Sequence, residues 1–260
     1  MNRDAVRSVI RVPDGFADER LAATYDAENV SRHDIDWYVV LAERLGARDV
    51  IDLGSGTGVL AVDLAARGHR VTGIDPAAAM LEIARARAGG DRVTWILGDA
   101  SAMPSESADL VTMTGHVAQV FLTDEDWRTI LRHVHRALRP GGHLAFESRN
   151  PTARAWTTWT REASLGRYAP DGGREFASWV ETAEVADGVV RFDAFTTFED
   201  TGETISARDA LRFRTEAQLR ASLAAGGFAD PELYGDWDGR PVGPASPELI
   251  VVARTWGEGT

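Results

Sequence analysis

The run Asp49-Val50-Ile51-Asp52-Leu53-Gly54-Ser55-Gly56-Thr57-Gly58 constrains this chain more than any other. Its first five residues read as a short buried strand. Three alternating glycines follow at once, and then an apolar stretch puts Leu60 and Leu64 on one helical face. Glycine admits a left-handed backbone and the close approach of a ligand, neither of which a Cβ tolerates well. The helix behind such a turn offers unpaired N–H groups and a positive dipole end to an anionic group. Repeated along the chain, strand–helix alternation implies a parallel sheet covered by helices.

The alternation does repeat. Arg70 to Asp75 reads as a second strand, with Pro76 in the first turn of a helix that runs to Gly89-Gly90. Arg92 to Leu97 is a third strand, closed by Gly98-Asp99-Ala100, and Asp109 to Thr114 is a fourth. Thr123-Asp124-Glu125-Asp126 opens a helix whose apolar stripe is Trp127, Ile130, Leu131, Val134 and Leu138. Arg139-Pro140-Gly141-Gly142 stops it, and His143 to Ser148 is the fifth strand. After Asn150-Pro151 the period changes to two. Residues 176–185 and 189–198 read as a hairpin turning at Asp187-Gly188, and a further strand covers about 205–213. Thr215-Glu216-Ala217-Gln218 is a capping box, and Phe228 to Trp237 with Leu249 to Ala253 would complete the main sheet. The expectation is one α/β domain: a largely helical cap (1–49), a ligand-binding core (50–149), an antiparallel β lid inserted after strand five (150–212) and a completion of a mostly parallel, seven-stranded sheet (213–260).

Composition removes several chemistries. The 260-residue chain has no cysteine, which excludes thiolate nucleophiles and cysteine-ligated metals. All 28 basic residues are arginine, so a Walker A loop and Schiff-base catalysis lack their lysine. A net charge of −12 argues against general nucleic-acid binding, which rests on phosphate neutralisation. No apolar run approaches the ~20 residues that span a bilayer, and the N-terminus lacks a signal-like apolar stretch. A cytoplasmic protein with no membrane partner is the expectation; the oligomeric state is open between monomer and homodimer.

Asp75 ends the second strand, 21 residues after Gly54, where a carboxylate accepts both hydroxyls of a ribose. Asp99 ends the third strand, near where an adenine lies if a nucleoside follows the carboxyl ends of the strands. The bland reading of both acids is a helix cap or turn. With these residues in view, the chain resembles the class I S-adenosylmethionine-dependent methyltransferases. Val50 to Gly58, Gly73-Ile74-Asp75-Pro76, Gly98-Asp99-Ala100, Leu138-Arg139-Pro140-Gly141-Gly142 and Phe213-Arg214-Thr215-Glu216 through Ala225-Gly226-Gly227-Phe228 carry the resemblance. It implies a Rossmann-like sheet, S-adenosyl-L-methionine as cofactor and a small-molecule acceptor methylated on N or O. The loop Gly54, Ser55, Gly56, Thr57, Gly58 would hold the methionine portion, with Asp52 orienting it. Asp75 would take the ribose, Pro76 would flank adenine, and Asp99 with Ala100 would meet the adenine edge. Thr114 and Tyr25 join the cofactor-binding set, Tyr25 by closing over the donor from the N-terminal helices.

A nicotinamide-dependent oxidoreductase is the nearest alternative. Its fingerprint wants a small third residue where Val59 stands, so the glycines fit G-x-G-x-G better. A non-catalytic cofactor-binding protein is the other, because methyl transfer needs few side chains. If the acceptor loses a proton, His116 after the fourth strand is the first candidate base and Glu147 on the fifth is the second. The lid's Trp156, Trp159, Tyr168, Phe176 and Trp179 make either an aromatic wall for the acceptor or the lid's own core. Of Arg149, Arg154, Arg161, Arg167 and Arg174, one or two would hold an anion and the rest would face solvent.

Overall fold

The computed structural model describes residues 18–170 and 172–256. The start of the helical cap therefore lies outside the described residues. The remainder of it forms α1 (Glu19–Ala22), α2 (Tyr25–Glu28) and α3 (His33–Leu45). Then come β1 (Asp49–Leu53), α4 (Val59–Ala66), β2 (Arg70–Asp75), α5 (Ala78–Ala86), β3 (Thr94–Leu97), β4 (Ala108–Met113), α6 (Asp124–Ala137) and β5 (Leu138–Arg149). A short helix α7 (Arg161–Ser164) leads into the lid strands β6 (Gly166–Tyr168), β7 (Phe176–Ala186), β8 (Val189–Phe198) and β9 (Thr204–Arg212). Helix α8 (Glu216–Ala225), β10 (Glu232–Tyr234) and β11 (Glu248–Arg254) return to the main sheet.

That sheet runs β10-β11-β5-β4-β1-β2-β3, with β1 to β5 mutually parallel and β11 alone reversed, antiparallel to both of its neighbours, β5 and β10. The expected Rossmann-like architecture is therefore present, and so is the lid, as a separate antiparallel sheet β6-β7-β8-β9. Its β7–β8 turn at Asp187-Gly188 holds both residues at positive φ (51° and 73°), the twist a two-residue hairpin needs.

Each face of the main sheet packs its own core. On one side lie Trp127, Ile130, Leu131 and Val134 of α6 with Leu219 and Leu223 of α8. Trp127 is buried there with its indole N–H satisfied by Ser222 Oγ at 2.9 Å. The Thr123 hydroxyl accepts the Asp126 N–H at 3.0 Å and starts α6, a cap of about 1 kcal/mol. On the other side α3 and α4 bury Tyr38, Val39, Leu41, Leu60 and Leu64.

Several boundaries differ from expectation: α5 ends at Ala86 short of Gly89-Gly90, β3 begins at Thr94 after a 3₁₀ turn over Gly90–Arg92, and four more differ for a plain local reason. Leu138 belongs to β5 and not to α6, because Pro140 disfavours helical backbone at Arg139. β5 thus begins five residues early, its pairing with β4 interrupted between Ala108 and Leu110, opposite the left-handed Gly141. Pro76 precedes the cap of α5 instead of entering its first turn, because the Asp75 carboxylate accepts the Ala77 N–H at 2.8 Å and forms a turn of its own. The 228–237 strand shrinks to Glu232–Tyr234, since Pro231 has no N–H for the ladder; Phe228 keeps one isolated bridge to Thr255. No described helix is long and apolar enough to cross a membrane.

Candidate active site

Strand register decides what reaches the carboxyl edge of the sheet. Val50, Val71 and Leu110 share one row on the α3/α4 face, all apolar and buried. Residues two further along a strand return to the same face. The next row there is Gly73, Asp52, Thr112 and Ala145, and beyond it come Asp75, Thr114, Glu147 and finally Arg149 beside Glu248. An apolar face thus turns polar over its last third. A cavity of about 500 Å³ opens at that end.

The glycine turn forms one wall. Gly54, Gly56 and Gly58 all have positive φ, from 53° to 80°. A Cβ on Gly54 would meet Val117 Cγ2 at 2.5 Å, and one on Gly58 would meet the Trp95 ring at 2.5 Å. Ile74 O accepts the N–H groups of Gly54 (2.7 Å) and Ser55 (3.1 Å), while Asp75 Oδ2 accepts that of Gly56 (2.8 Å). Asp75 is buried and clamps the loop with one oxygen and the start of α5 with the other. Burial raises its pKa, opposed by those two N–H groups.

Asp52 lies beneath the turn, 1% exposed. Its Oδ1 accepts the Thr112 hydroxyl at 2.9 Å, and its Oδ2 has no partner among the described residues. Burial pushes its pKa up to about 7. Ser55 Oγ is likewise buried without a partner.

From the N-terminal cap, Asp26 accepts the Thr57 hydroxyl (2.6 Å) and pairs with Arg87, whose Nε donates to Thr57 O (2.9 Å). This latch fastens α2 to the glycine turn. It sets Tyr25 on the cavity wall beside Gly115, and burial pushes the phenol's pKa up to about 12.

At the far end, His116 holds a left-handed conformation, φ 63°, unusual for a residue with a side chain. Its backbone N–H donates to Glu147 Oε1 at 2.5 Å, and its Nε2 lies 3.1 and 3.2 Å from the two oxygens of Glu248. Glu147 is 1% exposed and takes the Tyr38 hydroxyl on its other oxygen at 2.5 Å. Burial raises its pKa, and the neighbouring His116 and Tyr38 oppose the shift.

The cavity wall therefore gathers Tyr25, Asp52, the loop 54–57, Thr114, His116 and Glu147. Gly58 sits behind the loop against Trp95. Asp75, Pro76, Asp99 and Ala100 do not line this cavity; they stand further along the edge, toward β3. Asp99 caps a 3₁₀ turn through the Ser101 N–H (2.9 Å) and hydroxyl (2.6 Å), and Ala100 is buried in the core.

Sequence reasoning missed Tyr38, Glu248, the Asp26–Arg87 latch, and Phe192 and Asp209, which the lid adds to the wall. None carries a local motif; Glu248 reaches His116 only because β11 pairs with β5. The five lid aromatics do not line the cavity. Trp156 and Trp159 pack edge-on against Phe213 and Phe192, and Tyr168 and Trp179 stack on Phe176 and Phe195. They form the lid's own core. Of the five arginines only Arg149 lines the cavity; Arg161 covers Trp179, while Arg167 and Arg174 pair with Glu199 and Asp200.

Residues 50–142 match the family model described as a methyltransferase domain. The ubiquinone/menaquinone biosynthesis C-methyltransferase of Rubrivivax gelatinosus is 36% identical over 125 residues, covering 48% of this chain and 47% of the relative. The chain spans about half to two thirds of the length of the curated relatives it matches. Among solved structures, the CcbJ methyltransferase of Streptomyces caelestis superposes with a TM-score of 0.75 at 20% identity, over 94% of this chain and 98% of the other. The sugar N-methyltransferase KedS8 of Streptoalloteichus sp. gives 0.72 at 18% identity, over 98% and 100%. The chain has the class I S-adenosylmethionine-dependent methyltransferase fold.

The residues present fit that cofactor. An unpartnered buried carboxylate oxygen on Asp52 suits an ammonium. Asp75 has lone pairs beyond its two N–H bonds for a diol, and a Cβ-free, left-handed loop lets a ligand chain lie on the backbone.

Proposed function

We propose that this protein methylates a small molecule on nitrogen or oxygen, using S-adenosyl-L-methionine. The observation that carries the reading is the unpartnered Asp52 oxygen beneath the left-handed glycine turn, at the head of a cavity whose far end is lined by His116 and Glu248. One end of that cavity suits the cofactor's amino-acid arm and the other an acceptor.

The cofactor, when bound, supplies an electrophilic methyl group on a sulfonium. Asp52 takes the ammonium, Asp75 the ribose hydroxyls, and Asp99 with Pro76 the adenine side, while Ala100 packs in the core beneath them. Tyr25, held by the Asp26–Arg87 latch, closes the donor from above. Among the described residues the cavity wall carries Asp26, Asp34, Asp52, Glu147, Asp209 and Glu248 against one arginine, Arg149. This excess of carboxylates favours a cationic, amine-bearing acceptor, as the name of the sugar N-methyltransferase neighbour also suggests. His116 is the proton acceptor for such an amine. Glu248 occupies its Nε2, which leaves Nδ1 as the free nitrogen, while Glu147 fixes the backbone on which the ring is mounted. Alignment of acceptor and methyl is the larger contribution, since orientation alone supplies ~7–11 kcal/mol in favourable cases.

A thermal-shift comparison of S-adenosylmethionine, S-adenosylhomocysteine, NAD and NADP tests the reading. The two sulfur nucleosides are expected to raise Tm and the nicotinamides to leave it unchanged. Stabilisation by NAD or NADP alone would assign the cavity to hydride transfer instead.

A further inference from the structure

We propose that Arg149 binds a carboxylate of the acceptor, so that the molecule methylated is an amine that also carries an acid group. The inference rests on the methyl-transfer reading above and narrows its substrate class.

Arg149 is the last residue of β5, on the same face as Glu147 and directly across from Glu248 in the β5–β11 register. Its side chain enters the cavity, and among the described residues no other arginine contributes to the wall. The guanidinium is held by neutral groups. Nη1 donates to Gln119 Oε1 at 3.2 Å, and the guanidinium carbon lies 5.5 Å from the centre of the Trp159 ring. Gln119 is fully buried; its oxygen also accepts the Arg149 backbone N–H at 3.3 Å, and its Nε2 donates to Arg212 O at 3.3 Å. The amide is thus fixed from three sides, and its oxygen holds one edge of the guanidinium in place.

No carboxylate among the described residues comes within ion-pair distance of this cation, although Arg167, Arg174, Arg191 and Arg208 on the neighbouring lid each pair with one. Glu248, its strand neighbour, is occupied by His116. Burial lowers the Arg149 pKa from its ordinary value, opposed by the nearby carboxylates of Glu248 and Glu147; a guanidinium in a protein is a cation at neutral pH. The guanidinium is half-buried with neutral groups as its direct contacts, so an anion bound there would add the charge-assisted hydrogen bonds that Gln119 and Trp159 do not supply. Four of its five N–H donors remain beyond the Gln119 contact, in a planar fork that matches a carboxylate.

Charge narrows the anion. Glu147 and Glu248 flank Arg149 on the same sheet face, and a phosphate dianion would meet twice the repulsion that a carboxylate monoanion meets there. The acids on the rest of the wall then face the amine, and a zwitterion spans the two ends.

Acetate and inorganic phosphate, titrated separately into protein saturated with S-adenosylhomocysteine and followed by calorimetry, test this. Acetate is expected to bind in the millimolar range, and at least about tenfold more weakly to Arg149→Met, with S-adenosylhomocysteine affinity held within about twofold. Arg149→Lys, which keeps the charge and loses the fork, should fall between them and serves if the Met variant does not fold. Equal acetate binding by wild type and both variants overturns the proposal. Phosphate binding tighter than acetate, and lost with Arg149, overturns the carboxylate assignment. Failure of the wild-type protein to bind S-adenosylhomocysteine would instead overturn the methyl-transfer reading.

Discussion

Replacing Asp52 with asparagine isolates the group on which the cofactor assignment turns. The change keeps the shape and the Thr112 hydrogen bond to Oδ1, and removes a charge that is buried with one oxygen unpartnered among the described residues. The native pKa is pushed from an ordinary 3.8 to about 7, so the ionised carboxyl disfavours the folded state. A folded-state value raised in this way contributes stability that is full below the unfolded pKa and lost as pH rises through the folded one. At 1.36 kcal/mol per unit the loss approaches about 4 kcal/mol at pH 8 and is about 2 kcal/mol at pH 5.5. Without cofactor, Asp52→Asn should therefore raise Tm by roughly 8–16 °C at pH 8 and about half that at pH 5.5. Binding should move the other way. The variant loses the proposed partner of the cofactor's ammonium and should bind S-adenosylhomocysteine about tenfold or more weakly. Wild-type binding at pH 6 should release close to one proton, seen by calorimetry in two buffers of different ionisation enthalpy, and the variant should release none. A variant no more stable than wild type at pH 8, or a gain that does not shrink toward pH 5.5, would refute the reasoning.

Three further outcomes follow from the same geometry. Asp75→Ala removes the acceptor of the Gly56 and Ala77 N–H groups, and S-adenosylmethionine affinity should fall by at least about tenfold with the circular dichroism spectrum intact; unchanged affinity retires the ribose assignment. His116→Ala should lower kcat with a turned-over acceptor by about a hundredfold, and a change within about twofold removes it as a base. Arg214, buried against Trp127 with a pKa lowered to about 10, donates from Nη2 to Phe121 O (2.8 Å) and Thr123 O (3.1 Å). Arg214→Leu should cost about 2–4 kcal/mol in urea denaturation by stranding those carbonyls, and a loss under about 1 kcal/mol would show that water replaces the guanidinium.

Much of the architecture was legible because its signals are local. Alternating strands and amphipathic helices, the glycine turn, the Thr215 capping box and the Asp187-Gly188 hairpin each follow from a few adjacent residues, and each stands where expected. So does the insertion of the lid after strand five. The errors lay at boundaries where a proline's missing N–H or a carboxylate's own turn overrode periodicity, as at Pro76, Leu138 and Pro231.

The site divided differently. That a parallel sheet would end in a Cβ-free loop flanked by acids was readable along the chain, because glycine spacing and strand-terminal residues are properties of short segments. Only the tertiary structure decided which side chains meet there. Glu248 stands 132 residues from His116 and reaches it because β11 runs antiparallel beside β5. Tyr38 reaches Glu147 because α3 packs over that end of the sheet. Arg149 differs from the lid's ion-paired arginines only because strand register turns it inward, onto an amide and a ring. Contacts of such sequence separation leave no local periodicity to read; they exist only once burial of the two apolar faces has fixed the order and register of the strands.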